Sequence, residues 1–298
     1  MNVMTKVSIR IGERIFTADC GQPLIDAIPD GEIVKGCLKG ICRVCRCKLM
    51  SGSVSENGKQ VALNSTFLPC ISQAETDAEI KPAISDFQKA KIKSKTLLSD
   101  QVLEITLGVK RVFYNAKSVI TLKHPEMPVS RSYSVVSLGK KAYDSLTFHV
   151  KLRSNGLFSR LFEALSVGDE LDYTLLSPVL TEYTALIPNL NVVSGGSGMG
   201  AALTRALDLV EKYSIRQVDI YAINRAGISD YHLNCINIFR NLTGSDINIT
   251  NIPFLTWTHE KFDIASHLAP NVLTVGVGSD LIISKLRNLP LCELESFG

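Results

Sequence analysis

Four cysteines constrain this chain more than any other feature. Cys37, Cys42 and Cys45 stand in the spacing C-x4-C-x2-C, and 24 residues separate Cys45 from Cys70. Three thiolates on one tight loop can wrap one side of a small cluster, and a fourth from a distant turn completes the sulfur set that a [2Fe-2S] centre requires. Gly36 and Gly40 let the backbone bend close enough to aim N–H groups at the sulfurs. The competing reading is structural zinc, whose motifs more often pair C-x2-C with a second C-x2-C or with histidines; no histidine precedes His124 here. Cys47 alternates with Arg46 and Lys48 into Cys47-Lys-Leu-Met, which reads as strand rather than ligand.

The other cysteines, Cys20, Cys235 and Cys292, are scattered. Residues 1–10 show no apolar signal region, so disulfides are not expected and a cytoplasmic location is. No apolar run approaches the roughly 20 residues that span a bilayer, because Asp280, Lys285 and Arg287 interrupt even the C-terminal apolar stretch. At 298 residues the chain holds two or three domains. Its net charge of +3 is too small to argue for a nucleic-acid partner. Charge is concentrated locally: Lys35, Lys39, Arg43, Arg46 and Lys48 lie within fourteen residues that contain no acid. Such a run compensates a cluster that is formally dianionic when oxidised, or forms a docking face for an acidic partner.

Alternation predicts a hairpin at 7–10 and 14–17, a helix from Pro23 to Ile28, and strands at 48–50 and 78–80. Residues 1–83 resemble a plant-type ferredoxin, a β-grasp-like α+β domain. The lysine-rich stretch 81–95 reads as a linker. Beyond it, apolar segments at 102–107, 118–122, 134–137 and 146–152 form the pattern of a small antiparallel β-barrel. Within it, Arg131-Ser132-Tyr133-Ser134-Val-Val-Ser137 is similar to the R-x-Y-S-x-x-S flavin motif of the ferredoxin-NADP reductase superfamily. The resemblance implies an FAD domain over 88–184. There Arg131 grips the pyrophosphate, Ser132 belongs to the same flavin-binding run, Tyr133 packs on the isoalloxazine or ribityl chain, and Ser134 approaches N5, where hydride arrives. The turn Gly156-Leu157-Phe158-Ser159 then offers backbone N–H groups to the pyrophosphate at a helix N-terminus. The family's P-G-Q-like turn is replaced by Ala116-Lys117-Ser118.

From Ala185 onward, strands and helices alternate, as in an α/β domain with a parallel sheet. This nucleotide-binding domain is expected over 185–298. Gly195-Gly196-Ser-Gly198-Met199-Gly200 sits between its first strand and helix, the context in which a dinucleotide pyrophosphate meets a helix N-terminus. The family usually has a proline after these glycines, and this chain has Ala201. No fingerprint acid closes the second strand. Arg225 is similar to a nucleotide-touching arginine of related reductases and could take a 2'-phosphate, so NADH and NADPH both stay open; the domain order favours NADH. Gly276, in Thr274-Val275-Gly276-Val-Gly278, resembles the segment beside the nicotinamide, and the end of the chain suggests that Phe297 approaches the flavin.

In this order, the three motif sets resemble the reductases of multicomponent bacterial oxygenases acting on aromatic rings or hydrocarbons. The resemblance implies NAD(P)H, FAD and a [2Fe-2S] cluster in series, with an oxygenase component as partner. Other readings are the reductase partner of a sugar-nucleotide deoxygenating dehydratase and a redox-inactive zinc-bearing binding protein. A membrane-anchored quinone reductase subunit shares the modules but carries an N-terminal membrane helix, which is not seen here.

Overall fold

The structure, a computed structural model, describes residues 6–83, 86–139, 142–184, 186–225, 227–269 and 271–297. Ala185 and Gly298, the ends of the expected nucleotide domain, lie outside the described residues, as does the Phe297 side chain. The chain divides into two compact units. One comprises Met1–Lys89, Val119–Ser132 and Leu171–Leu176, the other Ala90–Ser118, Tyr133–Glu170 and Ser177–Gly298.

The first unit opens on a hairpin of β1 (Lys6–Ile11) and β2 (Arg14–Asp19), followed by a short helix α1 (Leu24–Ala27). Then come β3 (Cys47–Ser51), β4 (Val54–Glu56), β5 (Lys59–Gln60), β6 (Thr66–Phe67), β7 (Ser72–Ala74) and β8 (Ala78–Pro82). The main sheet has the order β2-β1-β8-β3-β6, with β1 and β8 parallel. Val7, Ile9 and Ile11 alternate inward from β1 onto Leu24, Ile25, Leu49 and Ile80. This β-grasp core leaves the segment between α1 and β3 free to form the cysteine loop.

The chain continues through β9 (Gln88–Ser99), β10 (Val102–Gly108), β11 (Val119–Lys123), β12 (Arg131–Ser134), β13 (Ser145–Lys151), α2 (Leu157–Ala164) and β14 (Glu170–Leu176). β10 pairs antiparallel with β9 and with β13, and in the first unit β11 pairs antiparallel with β14. Two details differ from the sequence reading. The expected linker ends in strand β9, because Ala90 and Ile92 are buried between exposed lysines with the two-residue period of a half-buried strand. The flavin motif forms β12 itself, rather than preceding a strand at 134–137; beyond Ser134 only Val135 bridges to Phe148.

The second unit ends in a parallel sheet ordered β17-β16-β15-β18-β19, built from β15 (Asn189–Gly195), β16 (Gln217–Asn224), β17 (Asp246–Pro253), β18 (Leu273–Ser279) and β19 (Cys292–Phe297). Helices α3 (Gly198–Tyr213) and α4 (Asp230–Thr243) bury Met199, Leu203, Ala206, Ile236 and Phe239 in one core with the sheet. The short α5 (Phe254–Thr258) and α6 (Asp280–Ile283) place Trp257, Ile282 and Ile283 in a second core. Burial on both faces explains the near-continuous apolar runs of β15 and β18.

Candidate functional site

The cysteine loop bends through left-handed backbone at Leu38, Gly40 and Arg43, with φ of 58°, 76° and 55°. Two of these are not glycine, so the loop holds strained backbone of the kind found at ligand clamps. The fold closes the loop with its own sulfurs. Cys37 N–H donates to Cys42 Sγ at 3.2 Å, while Cys42 N–H and Lys39 N–H donate to Cys37 Sγ at 3.3 and 3.4 Å. Cys70, in a short 3-10 turn after β6, places its Sγ 3.4 Å from Cys45 Sγ. The four thiols thus stand as two pairs, Cys37 with Cys42 and Cys45 with Cys70, as two irons with two thiolates each would need. Among the described residues no group of three Cys, His, Asp or Glu side chains converges on one ion.

Cys42, Cys45 and Cys70 are buried and Cys37 partly so. Within the first pair, the Cys42 thiol is pushed down to about 5, chiefly by the hydrogen bond from Cys37. Cys47 opens β3, is fully buried, and has its thiol pushed up to about 12 by burial. Lys35 pairs with Asp30 at 2.9 Å, whereas Arg43, Arg46 and Lys48 are exposed, as is Leu38.

Of the flavin motif, Arg131 is exposed and donates to its neighbour's carbonyl at Ser130, 3.0 Å away. In the second unit Tyr133 stacks on Phe148, with ring centroids 5.1 Å apart, and meets Phe162 edge-on. Ser134 is buried and donates to Glu295, which also accepts from Arg205; all three lie under 10% exposed. Gly156 caps α2 with no side-chain hydrogen bond, leaving the first turn's amides to an anion. Ser159 Oγ accepts from Arg153 N–H at 3.0 Å, so this serine shapes the turn. Phe158 is buried and Leu157 exposed.

The glycine-rich turn joins β15 to α3 as expected, with Gly196 at φ +57°. The Lys151 Nζ lies 3.9 Å from where a Gly196 Cβ would be. Burial lowers the Lys151 ammonium pKa, and the charges of Arg225 and Arg153 lower it further. A lysine beside a glycine turn, itself within the fields of two arginines, suits a pyrophosphate. Arg225 also lies over the Phe254 ring, 5.8 Å from its centroid. Met199 is fully buried. At Gly276 a Cβ would stand 2.5 Å from Leu286 and 2.7 Å from Leu294, which gives this glycine a packing reason.

Sequence reasoning missed the brace behind this turn. Tyr231 Oη sits 2.8 Å from His149 Nδ1, accepts from Gly200 N–H at 3.1 Å and donates to Ser197 O at 3.2 Å. His149 Nε2 lies 3.1 Å from Glu104. At Gly200, where the helix could have taken any residue, a Cβ would stand 2.5 Å from His149 Nδ1. His232 Nε2 holds Gly196 O at 2.9 Å, and burial keeps its pKa below the usual 6.5. Tyr231→Phe should destabilise the second unit by about 1–3 kcal/mol, since it strands a buried amide and an imidazole nitrogen. A thermal melt should show it, at roughly 2–4 °C per kcal/mol, with a raised KM for the nicotinamide substrate. An unchanged melt would remove the brace from the account.

Residues 9–75, which include all four paired cysteines, match the 2Fe-2S iron-sulfur cluster binding domain. Reductase component 2 of terephthalate 1,2-dioxygenase from a Comamonas species is 28% identical over 71% of this chain and 68% of its own length. The first unit thus carries a 2Fe-2S iron-sulfur cluster binding domain, and most of the chain is similar to a dioxygenase reductase component. Solved structures share its fold end to end. A cytochrome P450 reductase of Amycolatopsis superposes with TM-score 0.62 at 18% identity, covering 98% of each chain. The ferredoxin reductase of carbazole 1,9a-dioxygenase does so with TM-score 0.60 at 17%, covering 100% of each. Among the described residues no helix is long and apolar enough to cross a membrane. The chain's residues fit the groups expected: paired thiols suit a [2Fe-2S] cluster, the uncapped α2 start suits a flavin pyrophosphate, and the glycine turn beside Lys151 suits a dinucleotide. Bound FAD takes two electrons together from a nicotinamide and releases them singly, as a one-electron cluster requires.

Proposed function

We propose that this reductase passes electrons from NADH through FAD and the cluster to an oxygenase component that attacks aromatic rings. The observation that carries this reading is the two-by-two pairing of the thiols in a chain that also holds a flavin motif and a nucleotide turn. The names of the Comamonas relatives support the partner class. Cys37, Cys42, Cys45 and Cys70 hold the cluster in a ferredoxin domain over 1–83. Arg131, the Ser132 main chain, Tyr133, Ser134 and the α2 start at Gly156, Leu157, Phe158 and Ser159 hold FAD over 88–184. Gly195, Gly196, Gly198, Met199, Arg225 and Gly276 form the nucleotide site over 185–298, with Lys151 and Arg153 added to it. No general acid or base is needed for hydride transfer; these residues orient the cofactors and exclude water.

The visible spectrum of anaerobically purified protein, with iron, sulfide and flavin assays, tests the reading. Flavin bands over a broad iron-sulfur background, bleached by NADH more readily than by NADPH, are the expected result. A colourless zinc protein would overturn it.

The exposed Arg43, Arg46 and Lys48, together with the exposed Leu38, suit a partner with an acidic face. Arg43→Glu with Arg46→Glu should slow association with the oxygenase about tenfold at low salt, and raising the salt should erase the difference. Stopped-flow oxidation of the reduced protein measures this; equal rates for variant and wild type would place docking elsewhere.

A further inference from the structure

Ser132 is the second residue of the flavin motif, yet its hydroxyl belongs to the cysteine loop. It hydrogen-bonds Cys42 and lies 2.8 Å from Thr121 Oγ1 on β11. The groups converge on Gly36, where a Cβ would stand 2.6 Å from Cys42 Sγ and 3.0 Å from Ser132 Oγ. Gly36 therefore lacks a side chain because sulfur and hydroxyl fill its place. Two residues earlier, Ser130 Oγ donates to Lys35 O, a second bond from this segment to the loop. The surroundings are apolar: Cys42, Val44 and Val119 are buried together, with Val34, Cys37 and Ile41 against them. Thr121 is 1% exposed. In so dry a place a hydrogen bond to a charged sulfur is strengthened.

Proton bookkeeping gives the direction of each bond. A cysteine that ligates iron is a thiolate and has no proton to give. The single Ser132 proton must then point at Cys42, which leaves Ser132 as acceptor and makes Thr121 its donor. We infer that Ser132 is a positioning residue for the cluster, a donor to the Cys42 thiolate that raises the cluster's reduction potential. Reduction adds negative charge to the cluster sulfurs, so a fixed donor stabilises the reduced form more than the oxidised one. The same residue is joined by one peptide bond to Tyr133, so the element that presents the flavin motif also sets the potential of the electron acceptor. The inference rests on Cys37, Cys42, Cys45 and Cys70 being the cluster ligands.

EPR-monitored redox titration of the full-length holoprotein tests it, using Ser132→Ala, Ser132→Thr and Thr121→Val. Loss of one charge-assisted bond should shift the cluster's reduction equilibrium about tenfold toward the oxidised form in Ser132→Ala, equivalent to 59 mV for a one-electron couple. Ser132→Thr keeps the hydroxyl and should titrate with the wild type. Thr121→Val should shift the same way by less, because only the polarising second bond is lost, and it reports even if Ser132→Ala folds poorly. A Ser132→Ala protein with full iron and sulfide that titrates at the wild-type potential overturns the inference. A wild type without iron and sulfide overturns the ligand assignment, and the inference with it.

Discussion

Cys42→Ala is expected to lower electron delivery to a protein acceptor by more than about 100-fold while NADH still bleaches the flavin. Changes merely to groups behind metal ligands cost 10–100-fold, so loss of a ligand itself should cost more. Cys42 is buried and paired with Cys37, and no neighbouring thiol can replace it: Cys45 faces Cys70, and Cys47 points its thiol to the Cys45 carbonyl within the core of the sheet. Iron and sulfide content should fall with the activity. Flavin bleaching should persist because Tyr133, Ser134 and the glycine turn belong to the other unit, whose cores do not include Cys42. A folded variant that loses flavin reduction together with electron delivery would contradict the separation of the two steps.

The second large effect concerns stability. Arg205 on α3 and Glu295 on β19 form an ion pair, each under 10% exposed, and Ser134 donates to the same carboxylate. Arg205→Leu leaves that carboxylate buried without its cation, a loss of about 3–5 kcal/mol. The guanidinium is only partly satisfied, since its Nε has no partner among the described residues. The double variant Arg205→Leu with Glu295→Leu should therefore recover most of the loss, because replacing both charges removes the desolvation penalty along with the attraction. Urea unfolding monitored in the second unit, with unchanged m, is the measurement. A loss below about 1 kcal/mol in the single variant would mean that water reaches the pair and screens it.

The fold was legible where its signal is local. The C-x4-C-x2-C run from Cys37 to Cys45, the Arg131–Ser134 motif and the glycine turn each stay within about ten residues, and the strand-helix rhythm after 185 needs only apolar periodicity. Strands β9, β14 and β19 were among those missed. β19 reads Cys-Glu-Leu-Glu-Ser-Phe, whose glutamates suggest a solvated strand; Glu293 and Glu295 are buried because Lys117, Tyr183 and Arg205 reach them from elsewhere. Lys151 and Arg153 were passed over as ordinary strand and turn residues, since nothing in their own neighbourhood tells that the glycine turn will come to rest beside them.

The sequence by itself determined which chemistry the chain suits: cysteines at cluster spacing, a flavin-like motif, a glycine-rich turn, and their order along the chain. Each depends on residue type at short range, where backbone geometry leaves few alternatives. Only the tertiary structure decided which groups serve those sites from a distance. The bond from Ser132 to Cys42 spans 90 positions and that from Ser134 to Glu295 spans 161. The partner of a buried hydroxyl or charge is whichever complementary group packing delivers within hydrogen-bond reach, and sequence separation places no constraint on it.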